Sequence, residues 1–190
     1  MKLIRIHIPL DEPDPVLAGR LSGKKAFVRI LEQLPNLASP TTVFLDFHGI
    51  ELATASYLDE VVVRLRDHLR LARVPGYLVA CNLGDRVEEE LNDLLIRGSE
   101  AMLACSLSES GHISVPCLLG SLDQKLRQTL DLIEELGEAS ASQLHADHGE
   151  SNGIGPTAWN NRLNALSAKS LIVEISNGRL KKYRPVLETA

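Results

Sequence analysis

Two runs rich in β-branched and apolar residues, TTVFLDF at 41–47 and PGYLVACNL at 75–83, stand on either side of a long amphipathic stretch. Runs without polar alternation are what strands look like when both faces of their sheet are covered. The stretch between them, TASYLDEVVVRLRDHLRLA, puts Tyr57, Leu58, Val61, Val62, Leu65 and Leu69 at helical spacing. Strand, helix and strand in that order predict parallel pairing. The flanks extend the pattern. KLIRIHI alternates Leu3, Arg5 and His7 with Ile4, Ile6 and Ile8, as a half-buried strand does. GKKAFVRILEQLP sets Phe27, Ile30, Leu31 and Leu34 on one helical face, and Pro35 stops it. DRVEEELNDLLIRG reads as a helix with Asp85 near its start and Gly98 at its stop. AMLACSL and HISVPCLL, separated by SESG, read as two more strands. The order β-α-β-α-β-α-β-β implies an α/β layer whose sheet is at least partly parallel.

Near residue 120 the pattern changes, which predicts two domains, 1–119 and 120–190. SLDQKLRQTLDLIEEL is a helix with Leu122, Leu126, Leu130 and Ile133 on one side. In SASQLHADH, Ser140 is placed as an N-cap, with Gln143 in the capping-box position. A third helix starts at Gly155-Pro156, and Pro suits the first helical position. Two extended runs then meet at Asn177-Gly178, a strong hairpin signal. Three helices and a basic hairpin form a small α+β module.

Aromatic residues are only 4% of a chain that is 44% hydrophobic, so the core must be built from Leu, Ile, Val and Ala. The net charge of −5 argues against a globally basic nucleic-acid binder. The sum hides an asymmetry. Residues 1–120 carry 12 Lys and Arg against 16 Asp and Glu, whereas 151–187 carry six basic residues against Glu174 alone. Cys81, Cys105 and Cys117 lack CxxC spacing and read as buried free thiols in a reducing compartment. No run reaches the ~18 apolar residues of a membrane span. A cytoplasmic protein is expected, with no membrane association and no cofactor.

On the third helix, Trp159, Leu163 and Leu166 define the core face. Thr157, Asn160, Asn161 and Asn164 fall on the other side, where Asn can pair with adenine and Thr can touch base edges or a thymine methyl. The hairpin supplies Arg179, Lys181, Lys182 and Arg184 for phosphate oxygens. ASASQLHADHG, WNNRLNALSAKSLI and NGRLKKYRP resemble the winged helix-turn-helix domains of bacterial transcription regulators over roughly the last 60 residues. The resemblance implies that 156–169, with Arg162, is a recognition helix and that 177–184 is the wing. It departs from the family at Ser170, where Gly usually ends that helix.

VFLDFHGIELATASYLDEVVVRL resembles the STAS domain of anti-sigma-factor antagonists, and more closely the bacterial STAS-like domain of unknown function. The resemblance covers about residues 1–105 and implies a STAS-like mixed sheet with helices. In register, Asp46 matches the family's strand-end Asp. Thr54, Ala55, Ser56 and Tyr57 stand at its D-S-S-G positions. The phosphoacceptor position is therefore Ala55, which cannot accept phosphate, while SYLDE fits the STAS-like variant. Thr54 and Ser56 are left as candidates for phosphorylation or docking. The plainer reading is that one of them caps the helix.

Other signals are weaker. GRLSGKK lacks P-loop spacing and no strand leads into it. His145 and His148, with Asp147, have no third element to complete a metal site, so no metal is expected. Asp11, Glu12 and Asp14 lie in a Pro-rich turn. No catalytic arrangement stands out, and an enzyme is not expected. The sequence points to a DNA-binding regulator that acts as a homodimer on double-stranded DNA, with a STAS-like sensing or docking domain. The alternative is a partner-switch protein that binds, or is phosphorylated by, a GHKL-type ATPase.

Overall fold

A computed structural model describes residues 1–9, 15–152, 154–177 and 180–187. Gly178, Arg179, Asp11, Glu12 and Asp14 lie outside them. The chain forms two compact units that divide between Ser121 and Leu122. It is a mixed α/β protein with a mixed parallel and antiparallel sheet.

In the first unit, strands β1 (Lys2–His7), β3 (Thr41–Asp46), β5 (Gly76–Cys81), β6 (Ala101–Leu107) and β7 (Ile113–Gly120) lie side by side in that order. The first four run parallel, and β7 returns antiparallel to β6. Every residue of β3 and β5 is buried, which explains their lack of polar alternation. A second, two-residue pair, β2 (Val16–Leu17) and β4 (Leu52–Ala53), has no long apolar run to announce it.

The crossovers are α1 (Arg20–Gln33), a long helix over 55–71, and α4 (Asp85–Arg97). Ile30 of α1, Val61 and Leu65 of the long helix, and Leu91 of α4 share one core with Val43, Leu45, Leu78 and Ala80. Those strand positions alternate along one side of the sheet, so all three helices cover the same face.

The long helix is α2 (Ala55–Leu58), a π turn (Asp59–Val63) and α3 (Arg64–Leu71). The π turn carries the fully buried Glu60. Arg20 Nη1 donates to Glu60 Oε1 at 2.7 Å, and Arg64 Nε stands 2.8 Å from Oε2, off the line of a hydrogen bond. Helix α1 passes so close that a Cβ at Gly23 would sit 2.8 Å from Glu60 Cβ. Only glycine fits that crossing without displacement.

The second unit contains α5 (Gln124–Leu136), α6 (Ala141–Asn152), α7 (Pro156–Ala168) and the antiparallel hairpin β8 (Ile172–Asn177) and β9 (Leu180–Pro185). Each helix start has a chemical cause. Asp123 Oδ1 accepts the N–H groups of Lys125 and Leu126. Ser140 and Gln143 form the reciprocal capping box, at 3.2 and 2.9 Å. Pro156 opens α7. Ala139 exchanges two backbone hydrogen bonds with Tyr183, so the α5–α6 connection adds a third, one-residue rung to the hairpin. The core joins Leu130, Ile133, Leu144, Trp159, Leu163, Leu166, Ile172 and Tyr183.

Candidate nucleic-acid interface

Helix α7 separates its two faces cleanly. Trp159, Leu163 and Leu166 are buried, whereas Thr157, Asn160, Asn161 and Asn164 are exposed. At 100° per residue, the four polar residues cluster about half a turn from the core face. Asn164 is anchored, because Tyr183 Oη donates to its Oδ1 at 3.1 Å. That bond ties α7 to β9. Burial, ahead of the nearby Glu174 carboxylate, pushes the Tyr183 phenol up and keeps it protonated; Lys181 opposes the shift.

Arg162 does not join this face. It lies on the helix flank, with its guanidinium carbon 5.2 Å from the centroid of the Trp159 ring. That stacking holds the arginine toward α5, with an attraction of about 0.5–1 kcal/mol for a pair near the surface. Among the described residues the buried Trp159 Nε1 has no hydrogen-bond partner, so packing and the Arg162 stack position the indole.

The hairpin divides its cations. Successive side chains on a strand point to opposite faces. Lys181 therefore shares the face of Tyr183, toward α7, while Lys182 and Arg184 share the other. Lys181 Nζ lies 2.8 Å from Glu174 Oε1, and this hydrogen bond, with the Glu174 charge, raises the lysine pKa. Lys182 Nζ lies 2.7 Å from Glu138 Oε1. Both pairs are at the surface, where solvent and salt screen them and phosphate oxygens could exchange for the carboxylates. Arg184 is half-buried. Arg179 lies outside the described residues.

Residues 122–187 as a whole carry eight Lys and Arg against eight Asp and Glu. The positive surplus of the last helix and hairpin is offset by α5, α6 and their connections. Any attraction for phosphate must come from how the charges are distributed, not from their sum.

In the first unit, Asp46 sits at the end of β3 with its side chain fully buried. Its Oδ1 accepts the Asn82 amide at 2.8 Å and the His48 N–H at 3.0 Å. Its Oδ2 receives Arg5 Nε at 2.8 Å and stands 3.0 Å from His7 Nδ1. Burial alone would raise the carboxyl pKa. The bonds from Asn82, Arg5 and His48, with the Arg5 charge, outweigh it and hold the pKa below the usual value. Asn82 also spans to Leu107 N and O, so its amide joins the ends of β3, β5 and β6. These bonds make the cluster a structural junction between the strand ends.

The start of α2 corrects the capping expectation for Thr54 and Ser56. Neither side chain caps a helical N–H. Thr54 Oγ1 accepts instead from Gly19 N at 3.3 Å and lies 3.3 Å from Ser56 Oγ. The carboxylate of Glu90, on α4, takes the Ala55 N–H at 3.2 Å. A negative group thus already occupies the positive end of this helix. Thr54, Ala55 and Ser56 are half-buried, and Val16 and Leu52, paired beside them, are exposed.

His145 Nδ1 lies 3.1 Å from the Ile154 carbonyl and packs on Gly149, where a Cβ would meet it; it ties α6 to Ile154. Among the described residues no group of three or more His, Cys, Asp or Glu is placed to hold a metal ion. Cys81 and Cys105 are buried and Cys117 is half-buried, all as free thiols. Burial pushes all three thiols up, Cys105 to about 11, and the Asp46 charge adds to the shift at Cys81. They are poor nucleophiles. Among the described residues no helix is long and apolar enough to cross a membrane. No protein-family model matches the chain, and no curated protein matches it.

Proposed function

We propose that the chain is a DNA-binding transcription regulator, with a STAS-like domain over residues 1–119 and a winged helix-turn-helix over 120–190. The observation that carries this reading is the exposed row Thr157, Asn160, Asn161 and Asn164, fixed beside the hairpin lysine Lys181 through Tyr183. Amide side chains on an exposed helix face suit base edges, and flanking lysines suit phosphate. The near-neutral module implies modest non-specific affinity, so selectivity rests on the amides. A homodimer would place two such helices on a two-fold symmetric operator. Such a regulator would work in the cytoplasm, where the three thiols stay reduced. Selection of duplexes from a random pool by the full chain tests it: an enriched motif is expected, and an unenriched pool would contradict the reading.

The second reading is a partner-switch protein that docks a GHKL-type ATPase at the STAS-like domain. The exposed apolar pair Val16 and Leu52, beside Thr54 and Ser56, favours it. In that case the chain would retain the ATPase on a column, and intact mass would show phosphate on Thr54 or Ser56.

A further inference from the structure

The flank of α7 that carries Arg162 borders a groove of about 280 Å³. Asp131, Leu132 and Glu135 of α5 line it together with Trp159 and Arg162. Asp131 is paired with Arg127 at 2.9 Å. Among the described residues neither Glu135 nor Arg162 has an ion-pair partner within 4 Å. The groove therefore combines an aromatic ring, an unused carboxylate and an apolar wall for a methylene stem. It also shows what it attracts, because a guanidinium of the chain itself already stands over the ring. We propose that this groove binds a small organic cation, an amine or guanidinium compound, with the Trp159 ring and the Glu135 carboxylate as its receptors and Arg162 as the internal occupant it displaces. Ring quadrupoles attract such cations, and the groove is too small for a folded partner. The site stands independently of the DNA-binding reading.

Trp159 is the only Trp of the chain, so its emission reports on the groove directly. The test is a titration of the full chain with agmatine, ionic strength being held constant with sodium chloride. A saturable change in Trp emission is expected. Glu135→Gln should weaken it about threefold. Arg162→Ala should tighten it about two- to fivefold, because the competitor is gone. Both positions lie outside the core, and circular dichroism checks their fold. The methyl resonance of Ile154, which also lines the groove, provides a reading independent of the indole. A non-saturable response, or equal affinity in wild type and Glu135→Gln, overturns the site. Equal affinity in wild type and Arg162→Ala overturns the displacement.

Discussion

Glu90 Oε1 accepts the backbone N–H of Ala55 at 3.2 Å, so a carboxylate from one helix caps the start of another 35 residues away. The hydroxyls around Ala55 are thereby released from capping. Glu90→Ala should lower unfolding stability by about 0.5–2 kcal/mol, the usual range for a lost cap. Ser56→Ala should change it by less than about 0.5 kcal/mol. Urea denaturation of the two variants decides; a larger loss for Ser56→Ala would return the cap to the serine.

Asp46 and Asn82 make a pH-dependent prediction. The folded pKa of Asp46 is depressed, so its contribution is fully present above the unfolded value of about 3.9 and is lost as pH falls through the folded value. Asn82 has φ 57, so Asn82→Gly removes the amide without straining the backbone. That variant should lose about 1–3 kcal/mol at neutral pH and show a shallower acid limb. Unfolding curves between pH 7 and about pH 3 measure both. An acid limb as steep as that of the wild type would mean that Asn82 does not set this pKa.

Ser170 ends α7 in the left-handed region, with φ 59, and Leu171 N bonds back to Leu166 O at 3.0 Å. Non-glycine residues are disfavoured there by about 1–2 kcal/mol. Ser170→Gly should therefore raise the stability of the second unit by up to about 1 kcal/mol, less the entropy that glycine loses on folding. Thermal unfolding followed through Trp159 fluorescence measures it, and a lower midpoint would contradict the strain.

The elements legible in the sequence are those whose cause is local. The apolar runs of β3 and β5, the Ser140–Gln143 box and Pro156 at the head of α7 are set by residues within a few positions of one another. The division of α7 into a Trp159 face and an Asn face follows from 100° steps. Arg162 falls between them, and only the place of Trp159 in the tertiary packing shows which way it turns. Features made by distant residues were hidden. Nothing near Glu60 in VVV-flanked sequence signals a buried carboxylate, because Arg20 and Gly23 approach it from another helix. The Glu90 cap and the Glu138–Lys182 pair are hidden for the same reason. The division of the hairpin cations follows from strand alternation once Tyr183 is known to face inward.

The hairpin lysines should act on DNA through phosphate alone. Replacing both Lys181 and Lys182 with Ala should weaken binding to every duplex and lower the slope of log affinity against log salt by up to about 2. Gel shifts over a salt series measure this. An unchanged slope would remove the lysines from the interface.

If α7 is a recognition helix, its exposed amides read base edges. Fluorescence anisotropy with the selected duplex and a scrambled one, at fixed salt, compares the wild type with Asn160→Ala and Asn161→Ala. At least one variant is predicted to lose about 1–3 kcal/mol on the selected duplex while its affinity for the scrambled duplex is unchanged. If both variants keep the full wild-type preference between the two duplexes, α7 is not the reading helix.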